Sequence, residues 1–182
     1  MACDLANGRA ESCKDAVGGI DIIYIANFNP TMQSDLTYDA TSTDMITDVN
    51  NISNLYKFSL KGNNSFVQKG TSSRENGTTF FEQTLTIDLK KQDVATTKMV
   101  KLLSYGRPHV IVRSRQGQYF LAGLEFGMDV SELTIDNGTQ MADFNGYKLT
   151  FVGMERIPAN HLNCSTEAGL ATLFSSATIV TS

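Results

Sequence analysis

Imidazole, thiol and indole are scarce in this chain: 182 residues hold two histidines, three cysteines and no tryptophan. Catalytic and metal sites built from histidine and cysteine therefore have little material to draw on. No stretch approaches the roughly 18 consecutive apolar residues that a membrane helix needs. The opening Met1-Ala2-Cys3-Asp4 also lacks the basic-then-apolar pattern of a signal peptide. Charge of one sign is missing too. Against 19 acidic residues stand 15 basic ones, a net charge of -4, which gives no strong field for a dedicated DNA reader. The phosphate loop GxxxxGK[ST], the dinucleotide loop GxGxxG, the nucleophile elbow GxSxG and the zinc motif HExxH do not occur.

Cys3, Cys13 and Cys164 form no CxxC pair, and an odd number cannot close a full set of internal disulfides. Synthesis in a reducing cytosol is expected. The five sequons at Asn51, Asn63, Asn76, Asn137 and Asn163 are read as chance matches in an Asn-, Ser- and Thr-rich chain without a signal peptide.

What is present is alternation. With 41% hydrophobic residues, the chain has the material for one domain of ordinary size. Residues 1–19 are small and polar and read as an extended arm. Ile20 to Phe28 is a β-branched and aromatic run that fits a mostly buried strand. Residues 29–54 are polar, with a short island at Met45-Ile46-Thr47, and read as a long connection that asks for a function. Leu55 to Lys61 and Ser65 to Gly70 are strand candidates around the turn Gly62-Asn63-Asn64. In the first, Tyr56, Phe58 and Leu60 share a face, the pattern of a half-buried strand. Gly77 to Lys91 alternates at greater length, with Phe81, Leu85, Ile87 and Leu89 on one face. It spans about 45 Å at strand rise, long enough to reach beyond a compact sheet.

Asp93 is an N-cap candidate for a helix over about 93–105, with Ala95, Met99, Leu102 and Leu103 turned to the core and Gly106 as a left-handed C-terminal cap. An aspartate at Leu102 is then expected to destabilise the fold by several kcal/mol as an unpaired charge. His109 to Arg115 and Gln118 to Phe126 flank Gln116-Gly117 as a hairpin. Met128 to Ile135 and Tyr147 to Arg156 follow, with turns at Asn137-Gly138 and Asn145-Gly146. Residues 159–182 read as a tail. The expected architecture is mainly β, an antiparallel sandwich or barrel with one flanking helix, in a single domain over 1–182.

Chemistry finds few footholds. His109 and His161 read as structural or surface histidines. Glu82 and Asp88 lie about 20 Å apart along one strand, too far for paired acid–base work. Asp35, Asp39, Asp44 and Asp48 lack the glycine and closing glutamate of a calcium loop. Arg107, Arg113 and Arg115 with Lys98 and Lys101 form a local basic group, explained by helix-dipole complementarity and solvation, or by an acidic neighbouring subunit or passing DNA. Arg74, Glu75, Phe80 and Phe81 form a polar turn running into paired aromatics that face opposite ways, a subunit-interface pattern. No catalytic, cofactor-binding or metal-binding residue is assigned, and no cofactor is expected.

Several short segments are similar to a family of virion structural proteins of crAss-like bacteriophages. They are Cys3-Asp4-Leu5 with Gly8-Arg9 and Cys13 to Gly19, then Ser73 to Gln83, Tyr105-Gly106-Arg107-Pro108-His109, Phe120 to Glu125, and Gly146-Tyr147. The resemblance implies a tail-tube-like or ring protein that is not an enzyme. Its copies would close into rings, stack into a tail barrel or a portal-proximal neck, and enclose a channel for DNA ejection. The partners it implies are further copies of the chain, neighbouring portal and tail proteins, and DNA passing without sequence-specific contact. It implies no membrane and no small-molecule substrate. The location would be the virion, after synthesis in the bacterial host cytoplasm. In such an assembly the arm 1–19, the inter-subunit loop 29–54 and the tail 159–182 would reach neighbouring copies. Arg74, Glu75, Phe80, Phe81, Arg107, Asp35, Asp39 and Asp44 are the interface candidates. A monomeric β-sandwich module binding carbohydrate or protein is the alternative, although ten Phe and six Tyr come without the tryptophan that sugar sites favour.

Overall fold

The apolar run after the arm forms β1 (Ile20–Ala26), and its two faces enter two different cores. Ile23 and Ile25 point into one, Tyr24 and Ala26 into the other, as the two-residue period of a strand requires. A register irregularity between Ile20 and Ile22 keeps Ile20 on the side of Ile23.

The computed structural model describes residues 7–11 and 13–181. After β1 come a 3-10 turn at Met32–Ser34, β2 (Leu36–Tyr38), β3 (Met45–Val49), β4 (Asn54–Ser59), β5 (Ser65–Ser73) and β6 (Thr78–Lys90). Then follow α1 (Val94–Leu103), β7 (His109–Ser114), β8 (Tyr119–Ala122), β9 (Asp129–Asp136) and β10 (Gly146–Glu155), and last β11 (Asn160–Leu162), α2 (Glu167–Leu173) and β12 (Thr178–Val180). Eight strands form the larger sheet in the order β12-β4-β1-β7-β8-β11-β3-β2, and four form the smaller in the order β5-β6-β10-β9. The protein is mainly β, as expected.

The smaller sheet is antiparallel throughout. The larger one is mixed, because β3 runs parallel to β11 and β4 parallel to β12. Both exceptions come from the last 24 residues, which return from distant parts of the chain rather than through tight hairpins.

The first core fills the space between the sheets. Leu85 and Ile87 of β6 and Leu149 and Phe151 of β10 meet Ile23, Val110 and Val112 of the larger sheet. The second core lies on the other face of the larger sheet, where Leu170, Leu173 and Phe174 of the α2 region cover Tyr24, Ile111, Tyr119 and Leu121. β4 accordingly has both faces covered, Leu55 in the second core and Tyr56 and Phe58 against the first, where half-burial was expected.

This second core corrects three expectations. Residues 29–54 are not a connection that waits for a neighbour: Met32, Ile46, Val49 and Ile52 are buried in it, and β3 belongs to the larger sheet. Nor is 159–182 a free tail, since it supplies β11, α2 and β12. The described residues hold two α-helices, not one. Leu170, Leu173 and Phe174 recur at the spacing of one helical face, but the segment is too short for that period to stand out. The described part of the arm, residues 7–11 and 13–19, is exposed and irregular as expected. Cys3 and residues 1–6 lie outside the described residues.

α1 starts where the sequence places it, with the Asp93 carboxylate accepting the Thr96 amide at 2.7 Å. Its buried face is rotated from the expected one. Val100 is buried and Leu103 packs on the first core, whereas Ala95 and Leu102 face solvent, Leu102 at 60% exposure. The true stripe runs Thr96, Met99, Val100, Leu103, about 65° around the helix from the predicted one. Gly106 is not in the left-handed region; Ser104 ends the helix in right-handed geometry.

Candidate functional site

Between β8 and β9 the chain makes a loop where the sequence suggests strand continuing to Phe126, and three buried polar side chains hold it. His109 is fully buried at the start of β7. Its Nδ1 lies 2.5 Å from the Gly123 carbonyl, and its Nε2 accepts the Asn29 amide at 2.9 Å. That pairing makes it a neutral imidazole with the proton on Nδ1. Gln83 accepts the Gly123 amide at 2.9 Å. Glu155 accepts the amides of Glu125 and Phe126 at 2.9 to 3.1 Å. None of the three touches a nucleophile, and together they fix the direction in which β9 leaves the sandwich.

Burial holds the His109 imidazole below its ordinary value, and Arg107 adds to this, outweighing hydrogen bonds that favour the charged form. As pH falls below about 6.5 the unfolded chain takes up this proton before the folded one, so stability is lost on acidification. Glu155 acts in the opposite sense, because burial pushes its carboxyl up and favours the protonated folded form. Comparison of wild type with His109→Gln isolates the histidine, since Glu155 is common to both. Melting temperatures of the two proteins should converge as pH is lowered from 7 to 5.5; parallel profiles would refute the buried neutral histidine.

The expected interface residues fall in three separate places. Arg74 and Glu75 are exposed in the β5–β6 turn, and Phe80 and Phe81 are half-buried on β6 below it. The Phe81 ring lies against Gly70 of the paired strand, where a Cβ would come within 3.1 Å of it. Arg107 is exposed and stacks its guanidinium 4.0 Å over the Phe28 ring. Asp35, Asp39 and Asp44 lie around β2 and β3, at the far end of the larger sheet. There Asp35 is held by Thr31, Asn29 and Asn51, and Asp39 by the amides of Thr41 and Ser42. Those bonds keep both carboxyls below the usual range, Thr31 being the main cause for Asp35 and Ser42 for Asp39. The two aspartates organise their own turns. The basic residues do not gather either: Arg113 pairs with Asp21 at 3.3 Å, and Arg115 donates to the Gly62 carbonyl at 3.0 Å.

Among the described residues, no three His, Cys, Asp or Glu side chains converge to hold a metal ion. Among the same residues, no helix is long and apolar enough to cross a membrane. Burial pushes the Cys164 thiol up to about 11, away from the thiolate form that reacts.

The feature the residue-by-residue reading missed is the pair of open edges on the smaller sheet. Among the described residues, β5 and β9 each lack a partner on the outer side. They run nine and eight residues and are mostly exposed. Long unpaired edges of this kind recruit further strands. Their charges are opposite. β9 carries Asp129, Glu132 and Asp136 without a base, whereas β5 carries Lys69 without an acid. Glu132 pairs across with Thr150, and Lys69 with Glu82, so both lie on the sheet face turned away from the larger sheet. Alternation hinted at both strands, but their place at opposite edges follows only from the strand order.

A scan against protein-family models finds no match to this chain, and searches of curated proteins and of solved structures find none.

Proposed function

We propose that this chain is a non-enzymatic structural protein of a phage particle, whose copies join through the smaller sheet into rings that stack as a tail barrel or neck around a DNA channel. The virion setting rests on the resemblance of the Ser73–Gln83, Tyr105–His109 and Phe120–Glu125 segments to crAss-like virion proteins. Self-assembly rests on one observation: a sheet of four alternating strands with both edges open and oppositely charged.

Four strands in strict alternation leave β5 and β9 running in opposite directions. When a second copy is placed by rotation, β9 of one copy meets β5 of the next antiparallel, and the alternation continues unbroken around a ring. A two-fold pair of β9 strands would set Asp129, Glu132 and Asp136 against like charges. In the β9-to-β5 arrangement with full overlap, Asp136 lies opposite Ser65. Stepping four residues along each strand then sets Glu132 opposite Lys69. On the other face the half-exposed Ile135 meets Phe66, which removes apolar surface from water. Within one copy β9 and β5 are staggered along the sheet, β9 reaching the level of Lys90 and β5 that of Thr78. Tilted strands in a closed barrel require such an offset.

The outward face of this sheet would line the channel. It carries Thr84, Thr86, Thr134 and Thr150 among acidic and basic residues, a surface with no basic excess to hold DNA. Light scattering over a concentration series, with negative-stain images, tests the reading. Wild type should form rings, Glu132→Lys should remain monomeric, and adding Lys69→Glu to that variant should restore rings. A wild-type protein that stays monomeric at every concentration would overturn the proposal and favour the binding-module reading.

A further inference from the structure

Two features at one end of the molecule are left without a partner. The first is the β9–β10 loop, residues 137–145. The Asp143 carboxylate accepts the amides of Thr139 and Gln140 at 2.9 and 2.7 Å, and Asp136 accepts the Gly138 amide at 2.9 Å. Gly138 sits at φ +69 with Asp143 packed against it, so a side chain there would meet Asp143 at 2.7 Å. The loop is therefore organised in advance, and it presents Met141 fully exposed. A flexible, polarizable thioether presented on an ordered loop suits an adaptable apolar contact.

The second feature is a groove between α1 and β4. Its lower part, about 480 Å³, has Phe58, Leu89 and Met99 in its lining and Lys61, Lys90 and Lys91 beside them. It continues past Tyr56 and Met99 into an apolar part of about 440 Å³ beside Leu102 and Leu103. Among the described residues β12 pairs with β4 only up to Tyr56, which leaves the outer edge of Lys57 to Ser59 open along the groove.

We infer that the Met141 loop of one copy seats in this groove of the next copy, as a side contact that locks adjacent ring subunits. The inference rests on the ring reading above. With Asp136 opposite Ser65, the residues that follow β9 face those that precede β5. The latter are 60–64, and they include Lys61 of the groove wall. Across the β9-to-β5 junction the loop of one copy therefore faces the groove wall of the next, as a heterologous contact between neighbouring copies needs. The charges agree. Residues 136–146 carry Asp136 and Asp143 and no cation. The lower groove is lined by four lysines, Lys57, Lys61, Lys90 and Lys91, against Asp88 and Asp93. Lys57 is paired with Glu167 and the Asp93 carboxylate is taken up by the cap of α1, so a basic excess remains.

The test joins Met141→Cys with Lys61→Cys in a background with Cys3, Cys13 and Cys164 changed to serine. Rings isolated by size are oxidised and run on a non-reducing gel, and Met141→Asp is made in the native background. A ladder of covalent multimers, with Met141→Asp needing about tenfold more protein to form rings, is the expected result. Rings that give no ladder, with Met141→Asp assembling as wild type, overturn this inference alone and leave the sheet-edge pairing standing. Absence of rings in the wild-type protein overturns both.

Discussion

Gly127→Ala is expected to lower the melting temperature by roughly 6–12 °C, the equivalent of about 3 kcal/mol in a domain of this size. Gly127 has φ +78, and a Cβ built there would stand 2.4 Å from the Arg107 carbonyl oxygen and 3.1 Å from the Phe28 ring. Two costs add. The left-handed backbone is worth about 1–2 kcal/mol against alanine, and the clash is with backbone on another segment, so relief requires the chain to move. Gly77 supplies the control, because it has φ +62 but nothing within 4 Å of its added Cβ. Gly77→Ala should pay the backbone cost alone. Equal melting of the two variants would show that the packing around Gly127 is loose enough to take a methyl group. The expected damage reaches assembly as well, because Met128 and β9 follow directly from this loop. Gly127→Ala should therefore also impair ring formation under conditions where it is still folded.

Val100→Asp should lower stability by several kcal/mol, whereas Leu102→Asp should change it by less than about 0.5 kcal/mol. Val100 is 1% exposed within the first core, and no basic side chain belongs to that cluster to pair with a carboxylate. Leu102 is on the rim of the groove and mostly in water. Thermal melts of the two variants decide between the two possible helix faces. A Leu102→Asp protein that melts as low as Val100→Asp would restore the face that periodicity suggests. Should Val100→Asp fail to fold, Val100→Ala provides the graded readout, with an expected loss of about 1–3 kcal/mol.

The helix shows where pattern reasoning loses resolution. Ten residues make fewer than three turns, and Val94, Ala95, Met99, Val100, Leu102 and Leu103 cover so much of the circumference that several stripes satisfy a 3.6-residue period. Only contact with the sheets selects one. The long connection at 29–54 failed for a related reason. Its four buried residues, Met32, Ile46, Val49 and Ile52, are spaced through polar sequence with no single period, because they approach the second core from a turn, a strand and a bend. The Asn29 side chain, Thr31 and Asp35 look like loop polarity in the sequence, yet they tie that segment to itself.

The buried polar clamp was equally out of reach. Gln83 interrupts the apolar face of β6 between Phe81 and Leu85, and Glu155 is the last residue of β10. Both positions look like solvated residues until the 123–127 loop supplies the amides they accept. His109 read as structural or surface, and its burial and hydrogen bonds make it structural.

By itself, the sequence determined the longer strands, β1, β4 to β7, β9 and β10, where α1 begins and where several of the hairpins turn, but not the short strands β2, β3, β11 and β12. These depend on neighbours a few residues apart: alternation, the cap at Asp93, and glycine at the Gln116-Gly117 and Asn137-Gly138 turns. Tertiary structure decided which strands lie at an edge, that a second core exists beneath α2, and that β5 and β9 face outward with opposite charge. Those properties belong to pairs of segments far apart in the chain. No local period encodes which pairs will meet, and the open edges that carry the assembly reading arise only when the strands of both sheets have found their places.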